Sequence, residues 1–231
     1  MDRKKRIALY GGTFDPIHLG HLEVARQVTK VFEIDELWFV LAQLAPHKLS
    51  KEVTSPFHRY AMLALATQGD ENLLISTFEL DASGRCYTVD TLMHFNSEWS
   101  EKADLFFIMG ADSWLEIMTW RDCNRLLSMT NHIVVTRPGY EVTLDHVGDI
   151  TRNVIDLRKL PAAEIAGAIA GQQKPKIFIT DTVMNDISAT EIRRAANDSG
   201  RDLATLVPAP VAEYIRKYQL YREKHETEFN D

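Results

Sequence analysis

The sequence lacks several features that would place it in a specialised class of protein. Its 231 residues include only two cysteines, Cys86 and Cys123, and their separation matches no zinc or redox motif. We therefore interpret both as thiols of a reducing compartment. The charged N-terminal residues lead into the short apolar run 7–10, which is too short for a signal peptide or a membrane-spanning helix. These absences predict a cytoplasmic protein.

An excess of positive charge is also missing. The chain has 33 acidic and 26 basic residues, which gives a formal net charge of −7. Nucleic-acid backbones and anionic membranes are bound by basic faces, so we expect neither to be the main partner. The composition, 45% hydrophobic and 26% charged, is that of an ordinary globular protein long enough to bury one sizeable core.

What the sequence does contain is a regular alternation of short apolar runs and amphipathic segments. Several runs are apolar throughout, which is typical of parallel strands covered on both faces. The alternation predicts an α/β protein with a doubly wound, mostly parallel sheet. The predicted strands are 7–10, 37–41, 73–76, 105–109, 133–136 and 177–180, and the predicted helices are 19–31, 57–67, 88–95, 121–129, 188–197 and 211–224.

We interpret residues 1–231 as a single domain. An α/β core extends to residue 187, and a small helical part, 188–231, follows it. Residues 141–175 have weak periodicity, so we expect a strand or extended piece and a short helix inserted before the last strand. The last predicted helix carries apolar and aromatic residues at helical spacing, which favours core packing, with contact to a second copy in a homo-oligomer as the alternative.

The strongest functional signal is the sequence GGTFDPIHLGH, which begins at Gly11 directly after the first predicted strand. Gly11 and Gly12 permit a sharp turn and let a ligand approach the backbone N–H groups. Pro16 suits the entry to a helix. His18 and His21 then stand at the positive end of that helix, where phosphate is favoured. A metal ion would need a third ligand, and no nearby acid or thiol has the spacing for one, so we expect both histidines to donate hydrogen bonds to phosphate.

A second motif, ISATEIR, begins at Ile187 near the end of the chain. Ser188 followed by Glu191 has the spacing of a capping box, which by itself indicates only a well-capped helix. Thr190 and Arg193 lie in the same first turns, and Arg193 is long enough to reach back to a bound phosphate. The two helix N-termini could therefore converge on one polyphosphate.

Together the two motifs resemble those of the nucleotidyltransferase superfamily. Additional blocks between them, in the same order, resemble the bacterial nicotinate-mononucleotide adenylyltransferase family. Two features depart from its pattern: Ala189 stands where a second serine is common, and residues 141–175 are longer than expected. The additional blocks are PHK at 46–48, YTVDTL at 87–92, GAD at 110–112 with Trp120, and RPG at 137–139.

The resemblance implies a Rossmann-like fold and transfer of the adenylyl group from ATP to nicotinate mononucleotide, which yields nicotinate adenine dinucleotide and pyrophosphate in NAD biosynthesis. The acceptor phosphate is already largely dianionic near neutral pH, so the reaction needs donors and cations rather than a general base. Mg²⁺ carried by the ATP phosphates is the implied cofactor, with no dedicated metal site in the protein. The alternatives are another small acceptor, such as phosphopantetheine, and a nucleotide-binding module without turnover.

The resemblance also implies roles for individual residues, with His18, His21 and Arg193 as the catalytic donors. Trp120 offers a face on which the nicotinate ring can stack, although core burial is the alternative. The helix start at Tyr87 and Thr88 offers N–H groups to the nicotinate carboxylate, although an ordinary helix start is the alternative. The implied ATP-binding residues are Gly11, Gly12, Thr13, Phe14, His18, His21, Gly110, Asp112, Arg137, Ile187, Ser188, Thr190 and Arg193. The implied nicotinate mononucleotide-binding residues are Asp15, Lys48, Tyr87, Thr88 and Trp120.

Overall fold

A parallel sheet lies at the centre of the protein in the computed structural model, and every pair of neighbouring strands runs in the same direction. The seven strands within the described residues are β1 (Lys5–Gly12), β2 (Glu36–Leu41), β3 (Leu73–Ser76), β4 (Ala103–Gly110), β5 (Asn131–Val135), β6 (Val154–Asp156) and β7 (Ile177–Thr180). Their order across the sheet is β3-β2-β1-β4-β5-β7-β6, which confirms the doubly wound α/β fold. The structure describes residues 3–43, 53–136, 142–170, 172, 174–181, 187–197 and 202–222.

Helices connect the strands and cover both faces of the sheet. None of the helices in the described ranges is long and apolar enough to cross a membrane. Two short helices, α3 and α5, have no counterpart in the sequence prediction. The helices are α1 (Leu19–Val31), α2 (Pro56–Thr67), α3 (Phe78–Asp81), α4 (Thr88–Trp99), α5 (Ala111–Leu115), α6 (Cys123–Met129), α7 (Ala162–Ile169), α8 (Ala189–Asn197) and α9 (Ala209–Lys217).

Residues 7–10 of β1 and 105–109 of β4 are all apolar because each face of these segments is buried against a different cluster of side chains. Ala8 of β1 and Phe106 of β4 belong to one hydrophobic cluster. Their chain neighbours Leu9 and Phe107 point to the other side and belong to a second cluster. Burial on both faces leaves no position for an alternating polar residue, as expected for a parallel sheet.

The described part of residues 141–175 adds an edge to the sheet. A 3₁₀ segment, Asp145–Asn153, leads into β6, which pairs in parallel with β7. Helix α7 follows before the chain returns to form β7 inside that edge. An extended piece and a short helix do precede the last strand, and the division of the chain into an α/β core and a helical end remains a proposal.

The predicted last helix is too long. Helix α9 ends at Lys217, whereas the aromatic spacing predicted a helix over 211–224. Beyond it Gln219 and Tyr221 have positive φ angles of 50° and 67°, which a helix cannot contain. The backbone N–H of Leu220 donates to the carbonyl of Ile215 across this turn. Tyr221 therefore leaves the helical stripe and points back toward the N-terminal turn.

Candidate active site

The carboxyl ends of β1, β2 and β4 border a cavity of about 260 Å³. Ligands of open α/β sheets bind at this edge, where the strand order reverses. The cavity is mostly apolar and is bounded on one side by the turn after β1 and on the other by the start of α4. Its lining includes Gly11, Gly12, Thr13, Glu79, Cys86, Tyr87, Thr88, Thr91, Phe107, Trp120 and Arg121.

The first histidine of the early motif caps α1. His18 has extended backbone angles (φ −145°, ψ 171°), and its Nδ1 accepts a hydrogen bond of 3.3 Å from the backbone N–H of His21. A neutral ring that accepts through Nδ1 carries its proton on Nε2, so His18 presents an Nε2–H donor. The two imidazole rings stack with their centroids 3.6 Å apart. Two imidazolium charges at this separation would repel each other, so the stack favours at most one positive charge.

Gly20, between the two histidines, makes this arrangement sterically possible. A Cβ atom on Gly20 would lie 3.1 Å from Nδ1 and 3.2 Å from Cε1 of His18. A side chain there would require the His18 ring to shift by a few tenths of an ångström from this position. The motif contained Gly20, but spacing alone did not indicate that its role is steric.

Phe14, implied as an ATP-binding residue, is part of the core beneath the site. It is 3% exposed, and its ring lies edge-on to His21 with the centroids 5.1 Å apart. A Cβ on Gly12 would approach its ring to 2.7 Å. Phe14 therefore supports the His21 ring from below, and Gly12 leaves the space that it occupies.

The late motif meets the early one at the backbone of Asp15. Arg193 Nη1 donates a 2.6 Å hydrogen bond to the Asp15 carbonyl, and its Nη2 lies 3.2 Å from the hydroxyl of Thr190. At the start of α8 the hydroxyl of Ser188 accepts from the backbone N–H of Glu191 at 3.1 Å, as the capping spacing predicts. The structure thus brings the guanidinium of α8 to the turn that precedes α1.

The Asp15 side chain is bonded to other parts of the chain and is not among the described residues that line the cavity. Its carboxylate is 6% exposed, accepting from the Tyr221 hydroxyl at 2.8 Å and from the Thr54 backbone N–H at 3.2 Å. Burial raises the pKa of Tyr221, and the negative charge of Asp15 raises it further, so the phenol remains a donor. Asp15 is not among the described residues that line the cavity, although the resemblance implied that it binds the acceptor.

The other wall of the cavity is the start of α4. Tyr87 precedes the helix with an extended backbone, and its N–H donates to the Asp90 carboxylate at 3.2 Å. Trp120, implied as a stacking face, and Thr88, implied as part of a helix start that donates N–H groups, both line the cavity. The guanidinium of Arg121 lies 4.7 Å from the centre of the Tyr87 ring and also lines the cavity. Sequence analysis missed Arg121, whose only signal was its position directly after Trp120.

Glu79 is a second lining residue that sequence analysis missed. It lies on α3, and its carboxyl accepts a 2.7 Å hydrogen bond from the hydroxyl of Thr91. Burial raises the pKa of Glu79, with the Thr91 bond opposing the shift. A carboxyl that takes up a proton more readily repels an anionic ligand less than an ordinary one would. No motif contained Glu79, and α3 was not predicted either.

The remaining implied residues divide between the described and the undescribed parts of the chain. Gly110 and Asp112 stand at the carboxyl end of β4, where Asp112 accepts from the Ser113 backbone N–H at 2.9 Å. A Cβ on Gly110 would lie 2.5 Å from the Asp112 carboxylate, so that carboxylate would have to move to another position. Lys48 and Arg137 lie outside the described residues. Within the described ranges, no group of three or more His, Cys, Asp and Glu side chains is arranged to hold a metal ion.

The chain is similar to known proteins over most of its length. Residues 9–195 match the family described as cytidylyltransferase-like. The chain is 39% identical to a probable nicotinate-nucleotide adenylyltransferase of Thermoanaerobacter sp. (strain X514), over 98% of this chain and 99% of the relative. It is 37% identical to a protein of the same name from Desulfatibacillum aliphaticivorans, over 94% of this chain and 99% of the relative. The fold is similar to that of Plasmodium falciparum nicotinic acid mononucleotide adenylyltransferase complexed with NaAD, with a TM-score of 0.70, 20% identity and coverage of 94% and 97% of the two chains.

Proposed function

The chain belongs to the cytidylyltransferase-like family, and on that premise we propose that it is a nicotinate-nucleotide adenylyltransferase of NAD biosynthesis. It transfers the adenylyl group of ATP to nicotinate mononucleotide and releases pyrophosphate. The observation that carries the proposal is the 2.6 Å bond between Arg193 and the Asp15 carbonyl, because it gathers the donors of both motifs at one place. That place adjoins the cavity for the acceptor.

At the phosphate end, the protein supplies hydrogen-bond donors and positive charge. His18 and His21 stand at the start of α1, whose dipole also favours an anion, and Arg193 is bonded to the turn that precedes this helix. The acceptor phosphate attacks the α-phosphorus, and negative charge grows on the departing pyrophosphate. Donors fixed before the reaction stabilise that charge without reorganisation, so they lower the barrier.

At the acceptor end, the cavity suits a flat anionic ring. Trp120 provides a stacking surface, and the N-terminus of α4 at Thr88 provides N–H groups for the carboxylate. Arg121 adds a cation to the same wall. A carboxamide would gain less from these groups than a carboxylate, so we propose that the acid form is preferred.

We propose that Mg²⁺ enters this site bound to the ATP phosphates and not at a metal site of the protein. Its ligands would be phosphate oxygens and water, because Mg²⁺ loses its water ligands reluctantly and is usually bound through substrate phosphates. When bound it would neutralise phosphate charge during transfer. The proposed partners are therefore ATP and the acceptor mononucleotide, while a homo-oligomer and a cytoplasmic location stay predictions.

A panel of acceptors tests the function. Purified protein with ATP and Mg²⁺ is given nicotinate mononucleotide, nicotinamide mononucleotide or phosphopantetheine, and pyrophosphate release and dinucleotide formation are followed. We expect the highest kcat/KM with nicotinate mononucleotide. An equal or higher value with phosphopantetheine would contradict the proposed substrate. ATP binding without pyrophosphate release would contradict the proposal that the protein is an enzyme.

A further inference from the structure

Arg59 of α2 is a buried cation outside the cavity. Its side chain is 0% exposed and donates hydrogen bonds to four backbone carbonyls. Nε bonds to Thr54 at 2.9 Å, Nη1 to both Thr13 and Ala42 at 2.8 Å, and Nη2 to Gln43 at 3.0 Å. These carbonyls belong to irregular chain at the ends of strands and loops, so the sheet does not supply their donors. The guanidinium satisfies them with a single rigid group.

The position of these carbonyls indicates what the hydrogen bonds of Arg59 do. Strands β1 and β2 pair through Gly12 and Leu41 and then separate, because the turn after β1 must open to form the phosphate site. Nη1 of Arg59 bridges the carbonyls of Thr13 and Ala42, the next residue on each strand. Arg59 therefore holds the two chains together immediately beyond the point where their own hydrogen bonds end.

Asp15 provides the opposite charge for this cation. Burial lowers the pKa of Arg59, and the negative charge of Asp15 opposes that shift. The Asp15 carboxylate is in turn held by the Tyr221 hydroxyl at 2.8 Å and the Thr54 N–H at 3.2 Å. The backbone carbonyl of Asp15 accepts a hydrogen bond from Arg193. Every group that fixes Asp15 therefore also fixes the place where the Arg193 guanidinium binds.

We infer that Arg59 and Tyr221 are positioning residues, which hold the turn at residues 13–15 in the orientation that places Arg193 for catalysis. Arg59 is fully buried and bonded to backbone carbonyls, and the Tyr221 hydroxyl is bonded to the Asp15 carboxylate, so both act through the turn and not on a substrate. The role of Arg193 in this inference rests on the proposed function. Tyr221 thereby helps to set the geometry of a turn that lies 206 residues earlier in the chain.

Tyr221→Phe tests the inference with a minimal change, because the ring and its burial stay while one donor to a carboxylate is lost. We expect kcat/KM for ATP to fall about tenfold, the size typical of a hydrogen bond to a charged group. KM for nicotinate mononucleotide should stay within about twofold, since the acceptor wall is untouched. Tyr218→Phe is the matched control, because Tyr218 is 48% exposed on the same segment and should leave activity unchanged.

A double-mutant cycle separates positioning from general loss of structure. If Tyr221 acts through Arg193, Tyr221→Phe should have almost no further effect in an Arg193→Ala background. Independent effects that multiply would overturn the inference. So would a Tyr221→Phe protein with normal turnover and only a lower melting temperature.

Arg59→Lys and Arg59→Met extend the test to the buried cation. Lysine keeps the positive charge but cannot donate the several hydrogen bonds of a planar guanidinium, and methionine donates none. We therefore expect both variants to lose more turnover than Tyr221→Phe. A fully active Arg59→Met protein would contradict the role of Arg59, and the Tyr221 cycle decides the inference even if the Arg59 variants do not fold.

The proposed function can fail separately. If the unaltered protein makes no dinucleotide, that function is wrong. The double-mutant cycle is then measured as the affinity of each variant for a non-hydrolysable ATP analogue, determined by calorimetry. Weaker binding after Tyr221→Phe, absent in the Arg193→Ala background, would still support positioning. Unchanged binding in both backgrounds would refute it.

Discussion

The two ends of the site are built in different ways. At the phosphate end, donors are fixed by backbone geometry: His18 caps α1 through Nδ1, and Arg193 binds the Asp15 carbonyl. At the acceptor end, the wall consists of side chains on short helices and turns, among them Trp120 and Arg121. Changes at the phosphate end should therefore reduce turnover with every acceptor, whereas changes at the acceptor end should alter which acceptor is used.

The largest expected effect is at the phosphate end. His21→Ala should lower kcat about 100- to 1000-fold, the usual loss when one preorganised donor to a developing charge is removed. Affinity for a non-hydrolysable ATP analogue should change much less, because the bond strengthens as charge shifts in the transition state. Steady-state kinetics and calorimetry measure the two quantities. Equal losses in both would mean that His21 serves ground-state binding.

The next effect tests whether backbone geometry itself sets the position of the first histidine. In Gly20→Ala the new Cβ would lie 3.1 Å from His18 Nδ1, so the ring must shift. We expect kcat to fall about tenfold or more, with the melting temperature little changed. Gly167→Ala on α7 is the control, because its Cβ would meet nothing within 4 Å and alanine favours helix. Full activity of Gly20→Ala would show that the cap tolerates displacement.

Substitution of the cation at the acceptor end should change selectivity more than rate. In Arg121→Gln the preference for nicotinate over nicotinamide mononucleotide, expressed as a ratio of kcat/KM values, should fall about twofold to fivefold, as for the loss of an exposed charge pair. Turnover at saturating nicotinate mononucleotide should remain near normal. Arg125→Gln on α6 removes a charge outside the described cavity lining and should leave the ratio unchanged. An unaltered ratio in Arg121→Gln would assign acid recognition to the N-terminus of α4 instead.

The sequence predicts the elements that carry the proposed phosphate end better than the residues that line the proposed acceptor end, for a physical reason. Strand and helix periodicity placed β1 and α1 correctly because local burial determines them. Glu79 and Arg121 belong to no local pattern, and only the packing of separate elements brings them to one cavity. The prediction of a final helix that is too long has the same cause. The Tyr221 hydroxyl donates a hydrogen bond to Asp15, which is 206 residues away in the chain.

The smallest effect near neutral pH concerns the support beneath the acceptor end. His132 of β5 is fully buried against Phe107, which lines the cavity, and its Nε2 lies 3.1 Å from the Leu126 carbonyl. Burial lowers the pKa of its imidazole to about 4 from the ordinary 6.5. The unfolded chain therefore binds a proton more readily than the folded one, and stability is lost as the pH falls from 6.5 toward 4.

The loss should be below about 1 kcal/mol between pH 7 and pH 6 and should grow to about 3 kcal/mol by pH 4. Urea unfolding of the unaltered protein and of His132→Gln, at pH values from 7 to 4.5, measures it. Glutamine can keep a donor to the Leu126 carbonyl but does not titrate, so its unfolding free energy should decline less with acid. Parallel declines in the two proteins would mean that other groups set the acid sensitivity. The acceptor wall would then not depend on a neutral histidine beneath it.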